Sequence, residues 1–420
     1  MTTKNNIHVG YKDSTVGVIP QEWEVKQLID LCHNTGYYGI NAPAVTYCDS
    51  LPTYLRITDI DNYGKFIKAN KVSVNHPDSV QFILKDSDIV FARTGATVGK
   101  TYLYNPNDGL LVYAGFLICF SINIQKAIPY YIKTYTETST YWNWVKIISQ
   151  RSGQPGINAT EFSSMQLPIP PLEEQKKIAE ILSTWDEAIE KQSKLIEKLE
   201  LRKRGIMQRL LTGRTRLPGF TTPWQKMKLG EICKRVIRRN SENNTNVMTI
   251  SAQQGFVSQT DFFNKSIASE TLDNYYLIQR DEFCYNKSYS NGYPMGAIKR
   301  LKEIEKAVVT TLYICFSIIN EQKLNIDFFE QFCENGGLNQ RLMKVANEGG
   351  RAHGLLNVTS SDFFNLSFKL PDIKEQKAIA NILIAINEEI NIQHKKLETL
   401  RTQKRGLMQQ LLTGKKRVKI

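Results

Sequence analysis

The chain has 420 residues, too many for one hydrophobic core, and its 41% hydrophobic, 10% aromatic and 23% charged residues are a globular composition. Lys and Arg outnumber Asp and Glu by 54 to 41, and the resulting net charge of +13 argues for a polyanionic partner. No apolar run reaches membrane-spanning length, the polar start MTTKNNIHVGYKDS is unlike a signal peptide, and the seven scattered cysteines contain no C-x-x-C pair, so a cytoplasmic protein with reduced thiols and no zinc site is expected.

In chain order, the first half opens on Trp23–Cys32 (WEVKQLIDLC) and continues through strand-and-turn stretches at 53–66 and 89–104. A buried-strand pattern at Leu117–Ile122 (LICFSI), a helical stretch near 130–149 and a polar loop at Arg151–Asn158 (RSGQPGIN) follow. Pro168, Pro170 and Pro171 then bar any earlier helix, and one long helix is predicted from Leu172 to Gly213, with Glu173 and Glu174 at its positive end. The second half repeats the plan: Trp224–Cys233 (WQKMKLGEIC), strand-and-turn stretches at 246–257 and 282–300, Tyr313–Ile318 (YICFSI), a helical stretch at 327–346, the loop Arg351–Asn357 and a second long helix. The expected division is a globular domain at 1–171, a helix at 172–213, a second domain at 214–371, and a helix with a basic tail at 372–420.

The helices carry the strongest signal. Shifted by 201, Glu174–Gly213 lies on Glu375–Gly414 without a gap, with 22 of 40 positions identical. Ile178, Leu182, Trp185, Ile189, Ile196 and Leu199 follow alternating four-and-three spacing, matched by Ile379, Leu383, Ile386, Ile390, Leu397 and Leu400. Both copies interrupt that seam with a Gln (Gln192, Gln393) and a Lys (Lys203, Lys404) at the same steps. One such stripe reads equally well as a core-facing helix, but two with matched interruptions point to a paired coiled coil. The fold class is therefore α+β (mixed α/β): two pseudo-repeated globular domains joined by two long paired helices. Between the copies, helices and scaffold strands agree while the turns differ, as in one module used on two targets or as ordinary loop drift after a duplication would leave them.

With LPIPPLEEQKKIAEIL at Leu167–Leu182, its echo KLPDIKEQKAIANIL at Lys369–Leu383, the helix ends KRGIMQRLLTG and KRGLMQQLLTG, and the features FARTGATVGK, RSGQPGIN and SNGYPMG, nearly the whole chain resembles a specificity subunit of a type I restriction-modification system. The resemblance implies two target recognition domains, each reading one half of a bipartite site in double-stranded DNA. It implies that the paired helices form an antiparallel coiled-coil spacer, which docks two modification (methyltransferase) subunits and, in the full complex, restriction (translocase/nuclease) subunits. It also implies a non-catalytic chain without cofactors, with S-adenosylmethionine, ATP and Mg belonging to the partners.

Base reading requires paired donors and acceptors on elements that reach a groove. The first domain offers Tyr37, Arg93, Thr94, Lys100, Arg151 and Gln154 in its loops; the second offers Gln253, Lys287, Tyr289, Asn291, Arg351 and His353. Basic residues also cluster where each helix ends: Arg202, Lys203, Arg204, Arg209, Arg214 and Arg216, then Arg401, Lys404, Arg405, Lys415, Lys416, Arg417 and Lys419. They read either as phosphate contacts or as a solvated, dipole-compensating face. Apolar helix flanks at Leu195, Ile206 and Met207 are expected to be exposed.

Catalytic alternatives fail on spacing. Gly95–Thr101 (GATVGKT) is one residue short between its glycines for a phosphate-binding loop, and the second half has no lysine at the equivalent turn. Pro371, Asp372, Glu375 and Lys377 are nuclease-like but crowd a helix start, and the five histidines have no ligand spacing. The alternative from another class is a coiled-coil scaffold that binds nucleic acid without reading it.

Overall fold

The computed structural model describes residues 9–259, 272–348 and 356–419. It divides into two compact units: Met1–Ser193 with Lys395–Ile420, and Lys194–His394. Two α-helices of 39 residues each, the central Leu172–Leu210 and the C-terminal Ile373–Leu411, contribute one half to either unit. At about 1.5 Å per residue each is about 58 Å long.

In the first unit the central sheet is antiparallel, in the order Tyr37–Tyr38, Leu117–Ser121, Asp88–Ala92, Thr101–Leu103. The apolar run of Asp88–Ala92 is explained by burial of both faces. Ile89 and Phe91 enter a core shared with Ile118, Phe120, Tyr131 and Phe162, whereas Val90 and Ala92 enter another with Leu55, Leu111 and Leu117. Period-two alternation thus feeds two cores from one strand. The first core also takes Ile178 and Leu182 of the central helix and Met408, Leu411 and Leu412 from the C-terminal end. A second sheet, ordered Leu111–Tyr113, Thr53–Leu55, Val72–Val74, Ala44–Thr46, covers the other face, and Glu24–Gln27 pairs with Gln166–Ile169 just before the central helix.

The second unit repeats this frame. Its sheet runs Cys233–Arg235, Ile314–Ile318, Phe283–Asn286, Ala297–Arg300, and Gln225–Lys228 pairs with Ser367–Leu370 before the C-terminal helix. Cys284 opposes Cys315 where Val90 opposes Cys119, so the pairing register is also shared. Where the first unit has its second four-stranded sheet, the described residues of the second form two two-stranded sheets, Met248–Ser251 with Gly255–Ser258 and Tyr276–Gln279 with Lys306–Val309. All seven cysteines are free thiols, and burial pushes those of Cys32 and Cys233 up to about 12.

Both long helices stop as the sequence predicts. Gly213 and Gly414 take left-handed conformations (φ +70° and +72°), and the amides of Thr215 and Lys416 return to the carbonyls of Arg209 and Gln410. Of the twelve seam residues none is exposed: Ile178, Leu182, Ile196, Leu199, Ile379, Leu383, Ile390 and Leu397 are buried and Trp185, Ile189, Ile386 and Leu400 half-buried. The expectation that Met207 is exposed is overturned. Met207 and its counterpart Met408 are 6% and 2% exposed in the two domain cores, while Ile206 and Leu407 are half-buried. The α-helix drifts about 20° per heptad from a strict 3.5-residue seam, so near the helix ends the covered stripe has moved on by one position.

Polar pairs fix how the helices meet their domains. In the first unit Lys404 Nζ donates to Asp186 (2.8 Å) and Glu137 (3.2 Å), and Tyr130 donates to Asp186. Burial alone would raise the Asp186 carboxyl, but Lys404 and Tyr130 hold it below its ordinary range. Glu174, 0% exposed, accepts from the Trp23 indole at 3.0 Å and from Arg417 Nε and Nη2 at 2.6 and 2.8 Å. In the second unit Glu375, also 0% exposed, accepts from Trp224 at 3.3 Å and from Arg216 twice at 2.7 Å. Within the first unit residues 174 and 186 meet 417 and 404; within the second, 200 and 216 meet 394 and 375. In both the helix halves therefore run antiparallel.

Candidate nucleic-acid interface

One end of each central sheet gathers the side chains suited to base reading. In the first unit the strand Asp88–Ala92 delivers Arg93 and Thr94 at its end. Neighbouring strands bring Tyr38, the turn ending in Phe116, and Lys100 to the same end, as the pairs Ile118↔Tyr38, Leu117↔Ala92 and Phe91↔Thr101 require. The loop 151–158 is zipped onto this edge: Gly95 N donates to Pro155 O (3.0 Å), Ile157 N donates to Arg93 O (2.9 Å), and Thr94 bridges Gly156. Gly95 adopts φ +69°, a left-handed conformation that glycine takes without a Cβ penalty, where the chain turns at this edge.

The Arg93 guanidinium lies over the Tyr38 ring, 4.9 Å from its centroid, and the Tyr38 hydroxyl accepts from Ala159 N at 3.1 Å. Arg93 is thus held in one orientation by an aromatic face that is itself anchored. Tyr37 is 59% exposed on the strand beside it. Thr94 is half-buried and Gln154 exposed at the zipped edge. Arg151 donates to the carbonyls of Ile148 (2.8 Å) and Gln150 (2.9 Å) and to Glu161 (2.5 Å), so several of its donors are already engaged. Lys100 is half-buried and donates to Ile60 O at 3.4 Å. The Gly-rich segment around it forms a 3₁₀ turn, Gly95–Thr97, leading into a strand and opens no helix whose N-terminus could hold phosphate.

In the second unit Lys287 occupies the position of Arg93: its carbonyl accepts from Leu356 N (3.0 Å) as that of Arg93 accepts from Ile157 N. Burial, then the nearby Arg235, lower the Lys287 ammonium pKa, so an incoming anion would relieve repulsion there. Tyr289 is 63% exposed, and Gln253 donates to Asn291 O at 2.9 Å, bringing two more candidates together. Arg351 and His353 lie outside the described residues.

The basic helix ends are only partly available. Arg216, Arg417 and Lys404 serve the internal carboxylates described above, and Arg401 pairs with Glu398 and lies over Tyr63. Arg202, Arg204, Arg209, Arg214, Arg405, Lys415, Lys416 and Lys419 are exposed. The nuclease-like set is accounted for as well: Asp372 caps the helix by accepting from Lys374 N and Glu375 N, and Glu375 belongs to Arg216. Among the described residues no cluster of His, Cys, Asp and Glu could hold a metal, and no helix is long and apolar enough to cross a membrane.

Reading the sequence for hydrogen-bonding side chains missed Tyr38, Phe116, Ile237 and Leu312, exposed apolar or aromatic residues at these sheet ends. A bulky apolar residue at the same turn in both repeats was the available signal.

A family model described as the type I restriction modification DNA specificity domain matches residues 20–201. The chain is 29% identical over 436 residues, 97% of each protein, to the putative type I restriction enzyme MjaX specificity subunit of Methanocaldococcus jannaschii. In fold it is similar to a chain solved in a study of complex assembly and conformational transition of the type I R-M system (TM-score 0.55, 16% identity, 94% of this chain and 99% of that one). It is also similar to the S subunit of a type I restriction-modification system from M. genitalium (TM-score 0.53, 15% identity, 98% of both chains).

Proposed function

We infer that this chain is a type I restriction-modification specificity subunit, and that each of its two units reads one half of a split DNA sequence. The observation carrying this reading is the duplicated sheet end: one frame, built twice, presents Arg93 with Gln154 in one copy and Lys287 with Gln253, Tyr289 and Asn291 in the other. Equal frames with unequal tips are what two different half-sites require. The excess of 54 basic over 41 acidic residues supplies sequence-independent attraction to phosphate, and the tips supply discrimination.

On this reading the long helices set the unread gap and dock methyltransferase subunits, with the exposed Leu201 and Ile392 on the docking faces. S-adenosylmethionine, ATP and Mg²⁺ act in those partners and in the restriction subunits, and this chain positions them without chemistry of its own.

Arg93→Ala tests the reading in the assembled methyltransferase complex. Binding to a duplex carrying the full motif is expected to weaken by roughly 1–3 kcal/mol, with lost discrimination at one base pair of one half-site and unchanged discrimination in the other half. Equal weakening on every duplex, with a shallower salt slope, would favour the scaffold that binds nucleic acid without reading it.

A further inference from the structure

Each central sheet carries one large apolar side chain on the turn entering its second strand. In the first unit the turn Ala114–Leu117 is closed by Leu117 N donating to Ala114 O at 2.8 Å; in the second, Thr310–Tyr313 is closed by Tyr313 N donating to Thr310 O at 3.3 Å. The third residue is Phe116 in one and Leu312 in the other, 56% and 61% exposed, although the residues that follow, Leu117 and Tyr313, are buried. Turn positions of this kind favour Gly, Asn, Asp and Ser, and neither phenylalanine nor leucine gains packing by standing in water. A single exposed apolar residue needs no explanation. Here the same exposure recurs at equivalent turns whose sequences, AGFL and TTLY, are identical at no aligned position.

The surroundings indicate what covers them. Phe116 O accepts from Arg93 N at 3.0 Å, so the turn carrying Phe116 is bonded to the residue whose guanidinium stacks on Tyr38. In the second unit Lys287 ends the strand paired with the one that Leu312 precedes. An apolar residue next to a cation at the end of a sheet matches nucleic acid: the cation meets phosphate or a base edge, and the apolar group meets the apolar parts of a duplex that differ with sequence, thymine methyls and base faces.

We propose that Phe116 and Leu312 are specificity-determining residues, each making an apolar contact with the bases of the half-site read by its own unit. The proposal rests on the reading of the chain as a DNA-recognition subunit. Phe116 provides a flat aromatic face and Leu312 a smaller branched tip, so the two half-sites differ in the step or methyl group they place there.

The test uses the complex with the methyltransferase partner, carrying Phe116→Ala or Leu312→Ala, and follows methylation of duplexes bearing the mapped motif with each base pair varied in turn. Each variant is expected to lose roughly 5- to 150-fold in kcat/KM on the full motif and to stop discriminating at one position of its own half, with the other half and the salt slope unchanged. The conservative Phe116→Leu and Leu312→Phe, which keep an apolar tip, are expected to stay within a few-fold and report that loss in the alanine variants is not misfolding. Deoxyuridine for thymine separates the two apolar partners: a loss in the unmutated complex that is absent in the alanine variant assigns a methyl contact, and no loss assigns a base-face contact. Full rate and full discrimination in both alanine variants would overturn the proposal, as would a uniform loss on all duplexes. If the unmutated complex methylated no split motif, the functional reading itself would fall first.

Discussion

Glu174→Ala is expected to lower the unfolding midpoint of the first unit by roughly 5–15 °C. The Glu174 carboxylate is 0% exposed and is the shared acceptor for the Trp23 indole, itself 0% exposed, and for a two-pronged Arg417. Removing it strands a buried indole N–H and leaves a guanidinium facing a cavity. Breaking a buried pair costs about 3–5 kcal/mol, and the partial exposure of Arg417 reduces this to about 2–4 kcal/mol. A unit of this size loses about 2–4 °C per kcal/mol. Glu375→Ala removes the matching acceptor of Arg216 and Trp224 in the second unit and is expected to act in the same direction but less, because Trp224 is only half-buried. Glu173→Ala, on an exposed neighbour, is the control. Differential scanning calorimetry of the three variants decides the matter; midpoints within 1 °C of the parent for Glu174→Ala would show that the pair holds nothing.

Leu182→Ala and Leu383→Ala are expected to cost about 2–5 kcal/mol each, the range for truncating a fully buried leucine. Both are 0% exposed and belong to the cores of the two units, not to a surface seam alone. Leu201→Ala, on a helix residue 63% exposed, is expected to stay within about 0.5 kcal/mol. Urea unfolding followed by near-UV circular dichroism separates these outcomes. Equal small effects at all three positions would mean that the helices contribute only as a spacer and that the domain cores do without them.

These two expectations mark where sequence reading succeeds and where it stops. The helices were legible because an apolar stripe at three-and-four spacing survives in both copies, and proline before and glycine after bound it. Their role inside the domain cores was not, because a stripe says that a face is covered and not by what. Met207 and Met408 were missed for that reason, since the covering surface near the helix ends is a domain and the stripe has rotated by one residue. Charge was the least legible feature. Arg216 and Arg417 sit in acid-free runs and read either as phosphate contacts or as a solvated, dipole-compensating face, yet their carboxylate partners lie 159 and 243 residues away. No local pattern encodes a pairing over that distance. At the candidate interface, Arg93 and Gln154 are legible as candidates because glycine-rich turns between β-prone runs stand out, while Phe116 and Leu312 carry no signal for a reading confined to hydrogen-bonding side chains.

Methylation mapping tests the central claim most directly. The chain is co-expressed with its neighbouring methyltransferase, and modified bases are located across a genome at single-base resolution, with and without the chain. The account predicts one split motif, two short defined halves around a fixed unread gap, present only when the chain is present. Scattered modification, or a motif that persists without this chain, would contradict it.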